Sequence, residues 1–185
     1  MARKQVRLGS EKLLEGDAPL VKGARLGLVC NQASVDHRLR HVADLLQEHP
    51  AVDLCALFGP QHGIRGDVQD NMIETAHASD RGTGLPIYSL YSETREPTAE
   101  MMRGLDVLVV DLQDVGTRIY TYIYTMANCL SAARKHGVKV IVCDRPNPIV
   151  GVGGEGPMLV TGFESFVGLY PIPLRHAMPI GELAR

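Results

Sequence analysis

Residues 106–118 read DVLVVDLQDVGTR. Val107, Leu108, Val109 and Val110 form an unbroken apolar run with no polar alternation, the pattern of a strand covered on both faces. The run ends at Asp111, and Leu112, Gln113, Asp114, Val115, Gly116, Thr117 and Arg118 follow at once. A doubly buried strand with polar residues at its C-terminal end belongs in a parallel sheet, where ligands sit beyond the carboxyl ends of the strands.

Three further runs share that character: RLGLVC at Arg25–Cys30, VDLCALF at 52–58 and VKVIVC at 138–143. A shorter stretch, PIYSLY at 86–91, reads as an edge strand. Helical segments fit between them at 37–49, at 97–103 opened by Pro97, and at 117–136 closed by Gly137. This alternation predicts an α/β fold: a Rossmann-like, doubly wound, mostly parallel sheet with flanking helices. Right-handed crossovers then bring the four strand ends to one edge.

The segments after the strands are polar. They supply Asn31 after the first strand, Gln61 and His62 after the second, Gln113, Asp114 and Arg118 after the third, and Asp144, Arg145 and Asn147 after the fourth. Residues 59–84 lack periodicity, and a loop that long in a compact domain reads as a substrate-facing excursion. From Ile149 onward glycine and proline punctuate the chain, so the sheet is expected to have ended, and Pro179 opens a last short helix.

The chain has 185 residues, 45% hydrophobic and 22% charged, which fits one globular domain with a self-sufficient core. A formal net charge of -2, 5% aromatic residues and no tryptophan argue against a nucleic-acid-binding surface. No window approaches the roughly 20 apolar residues of a membrane span. The charged N-terminus has no apolar run behind it, so a cytoplasmic location is expected. Cys30, Cys55, Cys129 and Cys143 are far apart, and three of them lie inside apolar runs, so they read as buried thiols.

Gly151, Gly153 and Gly156 match a dinucleotide fingerprint in spacing. They follow the last clear strand and lead into Pro157, which is the wrong context for that loop. Neither a P-loop nor a Gly-x-Ser-x-Gly elbow is present. Asp111, Asp114 and Asp144 could together hold Mg²⁺, which makes a metal-dependent phosphoesterase a rival reading. Arg118 and Arg145 stand close in sequence to these acids, and guanidinium pairing is the favoured alternative.

His62 is a candidate at the site because the flanking Gly63 permits close backbone approach, while His176 is weaker. Within a helix beginning near Thr117, Tyr120, Tyr122 and Tyr124 cannot share one face, and Tyr120 is the best placed of the three. Two carboxylic acids across a cleft are the minimum for glycoside hydrolysis. Glu155, among glycines, is the strongest candidate, and Glu74 is the second.

Several motifs in one order carry a resemblance: LFGPQHGIRGDVQDNMIET (57–75), LPIYSLYSETREPTAEM (85–101), DVLVVDLQDVGTRIYTYI (106–123), CDRPNPI (143–149), GEGP (154–157) and SFVGLYPIPLRHAMPIGELA (165–184). From residue 27 to 185 the sequence resembles the DUF1343 family, associated with exo-β-N-acetylmuramidases of the NamZ type. The resemblance implies a glycosidase that releases terminal N-acetylmuramic acid from peptidoglycan fragments in cell-wall turnover and recycling, with no obligatory cofactor. Its partner would be a peptidoglycan-derived sugar or muropeptide.

It also implies a Rossmann-like N-terminal domain followed by a smaller C-terminal one, with the site between them. On that basis residues 1–24 are a lead-in, residues 25–185 are the Rossmann-like domain, and the family's C-terminal domain is absent from this sequence. Matched by motif, Glu155 and Glu74 are the acid/base pair, with His62 beside them as a catalytic candidate. Asn31, Gln61, Asp111, Gln113, Asp114, Arg118, Tyr120, Asp144, Arg145 and Asn147 would bind substrate. Arg118 and Arg145 are alternative partners for the lactyl group.

In one place the chain departs from the family. Many members read GPEHG where this sequence has Gln61, and an amide orients a substrate but exchanges no proton at neutral pH. A non-catalytic sugar or muropeptide binding module, or a pseudo-enzyme, is therefore the alternative reading.

Overall fold

Val107 and Val109 face one apolar layer and Leu108 and Val110 the other, which is why the central run shows no polar alternation. The structure, a computed structural model, describes residues 6–66, 77–149 and 153–185. In chain order these form α1 (Gly9–Leu13), β1 (Arg25–Cys30), α2 (Val42–Glu48), β2 (Asp53–Gly59), β3 (Ala78–Ser79), β4 (Pro86–Ser89) and α3 (Ala99–Met102). Then come β5 (Val107–Asp111), α4 (Tyr122–His136), β6 (Lys139–Val142), β7 (Glu155–Met158), β8 (Pro173–Arg175) and α5 (Ile180–Leu183).

The main sheet has the order β3-β4-β2-β1-β5-β6. Every pairing in it is parallel except the outermost, β3 against β4. The segment expected at the edge is therefore second from it, and two residues of β3 cover its outer side. Strand order reverses between β1 and β5, so the crevice of a doubly wound sheet opens where Asn31 and Leu112 leave their strands.

One face packs Val29, Phe58, Leu108 and Val110 against α3, α4 and α5. Along α4, Tyr122, Met126, Cys129 and Ala133 recur at helical spacing and form its buried stripe. The other face packs Leu26, Leu28, Leu57 and Val109 against Val42, Ala43 and Leu46 of α2. Leu13, Ala18 and Val21, from the stretch expected as a lead-in, are buried in that same layer.

Two helices start later than their sequence patterns suggest. α2 begins after His41, whose Nδ1 accepts the Ala43 N–H at 3.2 Å, because residues 35–41 close a turn through the Val35 and His41 bridge. α4 begins at Tyr122 because the segment before it is tied elsewhere: Arg118 N–H donates to the Leu174 carbonyl at 2.8 Å, and Thr117 bridges Arg175. Its far end follows the sequence, with Gly137 in the left-handed region at φ 71°.

The glycine- and proline-rich end of the chain, expected to hold no sheet, forms a separate antiparallel pair, β7 with β8. It lies beside the segment after β5, and α5 closes the described chain at the position expected from Pro179.

Candidate functional site

Most of the polar residues singled out at the strand ends are engaged in joining the loops to one another. Asp111 is fully buried and takes two hydrogen bonds from Arg145, Nε to Oδ1 at 2.6 Å and Nη2 to Oδ2 at 2.7 Å. The third side of that guanidinium donates to the Val35 carbonyl at 3.0 Å. Burial pushes the Asp111 carboxyl up, against the opposing pull of Arg145. Asn31, also buried, accepts from Ala33 N–H through its side chain and donates its own N–H to the Ser34 hydroxyl, which in turn donates to the Asp111 carbonyl.

Asp144 is exposed and accepts N–H bonds from Arg145 at 3.0 Å and Gly181 at 2.8 Å. Asn147 donates to the Met178 carbonyl and accepts from Ile149 N–H, both at 3.0 Å. Gln113 donates to the carbonyls of Asp114 and Pro146. Arg118 spends its Nη1 on the carbonyls of Pro157 at 2.9 Å and Ile172 at 2.7 Å, which fastens β7 and β8 to the segment after β5. Among the described residues, Asp111, Asp114 and Asp144 are not gathered into one donor set.

Asp114 has a different setting. It is buried, its Oδ2 accepts Gly116 N–H at 2.7 Å, and the buried His176 places Nε2 3.3 Å from the same oxygen. Asp114 Oδ1 and His176 Nε2 have no hydrogen-bond partner among the described residues. Burial raises the Asp114 carboxyl above its ordinary value, while the Gly116 N–H and His176 oppose that rise. Burial, the Tyr122 hydroxyl and the Asp114 charge together push the Tyr120 hydroxyl up.

Gln61, His62, Tyr91, Tyr120, Tyr122 and Phe166 line a cavity of about 290 Å³. The Tyr120 and Tyr122 rings meet edge to face at 4.7 Å, and the Tyr122 hydroxyl is 3.4 Å from the Gln61 carbonyl. These two tyrosines do share a surface, contrary to the expectation from helical spacing, because Tyr120 precedes the first residue of α4 and the spacing rule does not apply to it. Tyr91 and Phe166 form the opposite wall at 5.7 Å, with the Arg95 guanidinium 3.9 Å over the Phe166 ring. Sequence patterns did not single out Tyr91, Tyr122 or Phe166 as site residues. The cluster of three tyrosines within five residues was the available signal.

His62 adopts φ 73°, a strained left-handed conformation for a non-glycine residue that fixes its direction at the cavity. A second, larger cavity of about 770 Å³ groups Asp144, Arg145 and Asn147 with Arg7 and Lys12 from the N-terminal segment. Its predicted polar residues are already bonded within the protein, so the aromatic cavity is the better candidate for binding.

Glu155 opens β7 with its side chain 59% exposed, and its Oε1 is 3.1 Å from Arg175 Nη2 on the facing strand. It therefore stands largely in solvent beside a cation. Glu74 lies outside the described residues.

A doubly wound α/β domain, carrying an antiparallel ribbon next to an aromatic-walled cavity at its strand ends, is the class these features define. A family model described as "Exo-beta-N-acetylmuramidase NamZ, N-terminal" matches residues 26–185, and the chain belongs to that family. It is 50% identical over 182 residues to the peptidoglycan β-N-acetylmuramidase NamZ of Bacillus subtilis (strain 168), a match that covers 98% of this chain and 44% of that protein.

Crystal structures of two DUF1343 family proteins from Bacteroides fragilis NCTC 9343 share its fold. One superposes with a TM-score of 0.88 at 46% identity, over 96% of this chain and 44% of that one. The other has a TM-score of 0.82 at 34% identity, over 97% and 46%. The chain thus spans less than half the length of the relatives it matches. No helix among the described residues is long and apolar enough to cross a membrane.

Proposed function

We propose that this chain forms the Rossmann-like wall of the catalytic cleft of an exo-acting β-N-acetylmuramidase, which releases terminal N-acetylmuramic acid from peptidoglycan fragments. The observation that carries this reading is 50% identity across 98% of the chain to a protein named for that activity. The aromatic cavity adds chemical support. Tyr91, Tyr120, Tyr122 and Phe166 offer ring surfaces to the C–H faces of a sugar, and Gln61 and His62 offer polar groups for its hydroxyl and acetamido groups.

In this reading Glu155 protonates the leaving oxygen. The second carboxyl group, assigned to Glu74, acts as base or nucleophile on the other side of an oxocarbenium-like transition state. Gln61 positions the sugar. Asp111, Arg145, Asn31 and Asn147 hold the loops that shape the cleft. The family's second domain supplies the facing wall, and the reaction serves cell-wall recycling.

One observation favours a second reading, a sugar-binding module without hydrolysis: the residue lining the cavity at the GPQHG motif is an amide, Gln61, which exchanges no proton at neutral pH. Incubating the intact protein with para-nitrophenyl N-acetylmuramide separates the two. Release by wild type and its loss in Glu155→Gln is the expected result. Binding without release, with hydrolysis gained only in Gln61→Glu, would establish the module instead.

A further inference from the structure

Four arginines stand on β8 and on the segments after β2, β5 and β6, and the guanidinium groups of three donate hydrogen bonds to described acceptors. Arg145 holds Asp111, Arg118 holds two backbone carbonyls, and Arg65 bridges Asp44 and Asp80. Arg175 is different. Its Nε and Nη2 are both buried, and neither has a hydrogen-bond acceptor among the described residues. Buried N–H groups without acceptors are costly and uncommon in native proteins.

Nε and Nη2 form one edge of a guanidinium, the edge that meets both oxygens of a carboxylate in a fork. Glu155 approaches this edge at 3.1 Å from Nη2 but lacks hydrogen-bond geometry, and its side chain is largely in solvent. An exposed contact of that kind holds weakly. The backbone under Arg175 is well fixed: it pairs with Glu155 across β7 and β8, bridges Thr117 on its other side, and is followed by His176, whose N–H donates to the Gly116 carbonyl. A rigid strand therefore holds a strong donor fork beneath a weak partner.

We propose that the Arg175 fork anchors a carboxylate of the ligand. The proposal rests on the muramidase reading, because N-acetylmuramic acid differs from N-acetylglucosamine by a lactyl ether that ends in a carboxylate. Of the two arginines the motifs point to first, Arg145 gives this edge to Asp111, and Arg118 is held through Nη1 by two backbone carbonyls. The ligand carboxylate takes the Nε and Nη2 edge and displaces Glu155, whose exposed side chain is then free to turn to the glycosidic oxygen. No covalent step is involved in the anchoring.

Calorimetry on the intact protein tests this with N-acetylmuramic acid and with its lactyl methyl ester, which keeps the shape and removes the charge. Wild type is expected to bind the acid about tenfold or more tightly than the ester, the advantage of a charge-assisted fork over a neutral contact. Arg175→Gln is expected to bind both equally, and Arg175→Lys to keep part of the preference. Equal affinities in wild type, or an undiminished preference in a folded Arg175→Gln, would overturn the proposal. Should that variant not fold, as judged by circular dichroism, Arg175→Lys decides, since it keeps the charge and lacks the fork, and an undiminished preference there would overturn the proposal. Release of para-nitrophenol is followed separately. A protein that prefers the acid but hydrolyses nothing keeps the anchor and loses the muramidase reading, and one that hydrolyses without the preference does the reverse.

Discussion

Arg145 and Asp111 form a two-point hydrogen-bonded ion pair at the centre of the sheet edge, with side chains 4% and 0% exposed. The pair joins the end of β5 to the segment after β6, and through the Val35 carbonyl it also holds the loop after β1. Removing one partner leaves a buried charge without compensation. Arg145→Ala and Asp111→Asn are each expected to cost roughly 3–5 kcal/mol of stability, measured by urea denaturation. A loss below about 1 kcal/mol would refute this structural role.

Arg65 crosses between α2 and the segment after β3, donating to Asp44 and Asp80. Burial alone would raise the Asp80 carboxyl, but hydrogen bonds from Arg65 and Thr83 outweigh it and bring it down to about 2. A carboxyl lowered on folding contributes stability above its ordinary value near 3.8, and that contribution is lost as pH falls toward 2. Roughly 2 kcal/mol should disappear over this window. Asp80→Asn should flatten the stability profile there, and an unchanged slope in that variant would refute the assignment.

Phe166 presents one wall of the aromatic cavity and carries Arg95 on its face. Phe166→Ala is expected to raise KM for para-nitrophenyl N-acetylmuramide by roughly two- to tenfold with kcat little changed, since the ring contributes to binding rather than to bond cleavage. A fall in kcat at constant KM would place Phe166 against the transition state.

Gly116 has φ 86°, and a Cβ there would lie 2.4 Å from Asn147 Oδ1 and 2.5 Å from Ile149 Cγ1. Gly116→Ala therefore meets strain in both backbone and packing. It should lose about 1–3 kcal/mol in thermal unfolding, and a neutral outcome would mean the loops after β5 and β6 can separate freely.

Burial pushes the thiols of Cys30, Cys129 and Cys143 far up, whereas Cys55 is only partly buried and raised less. A thiol-reactive chromophore should titrate Cys55 first in the native protein and reach the other three only on unfolding. Rapid native reaction of Cys129 would contradict the packing of α4.

The long parallel strands were legible because Val107 to Val110 and their counterparts must be apolar on both sides. β7 and β8 were not. Glu155–Met158 and Pro173–Arg175 are short, half polar, and contain prolines that obscure any period of two. At the site, residue type proved a poor guide to availability. Asp111 and Arg145 have the polar groups a ligand needs, but they spend them on each other across 34 residues of sequence. Only a structure reveals which donors are spent. The wall opposite Tyr120 comes from Tyr91 and Phe166, far apart in the chain, and no local pattern links them.

The pairing of β1 with β5 sets the order in which this chain is able to fold during synthesis. Arg25 and Asp106, which hydrogen-bond where the two strands begin, are 81 residues apart. At a translation rate of about 5–20 residues per second, β1 leaves the ribosome roughly 4–16 seconds before its central partner exists. For that interval a strand destined for the middle of the sheet has an open edge, with Leu26, Leu28 and Val29 uncovered on one face or the other. A nascent chain halted before Val107 should accordingly be a good chaperone client, and one extended past Val142 a poor one.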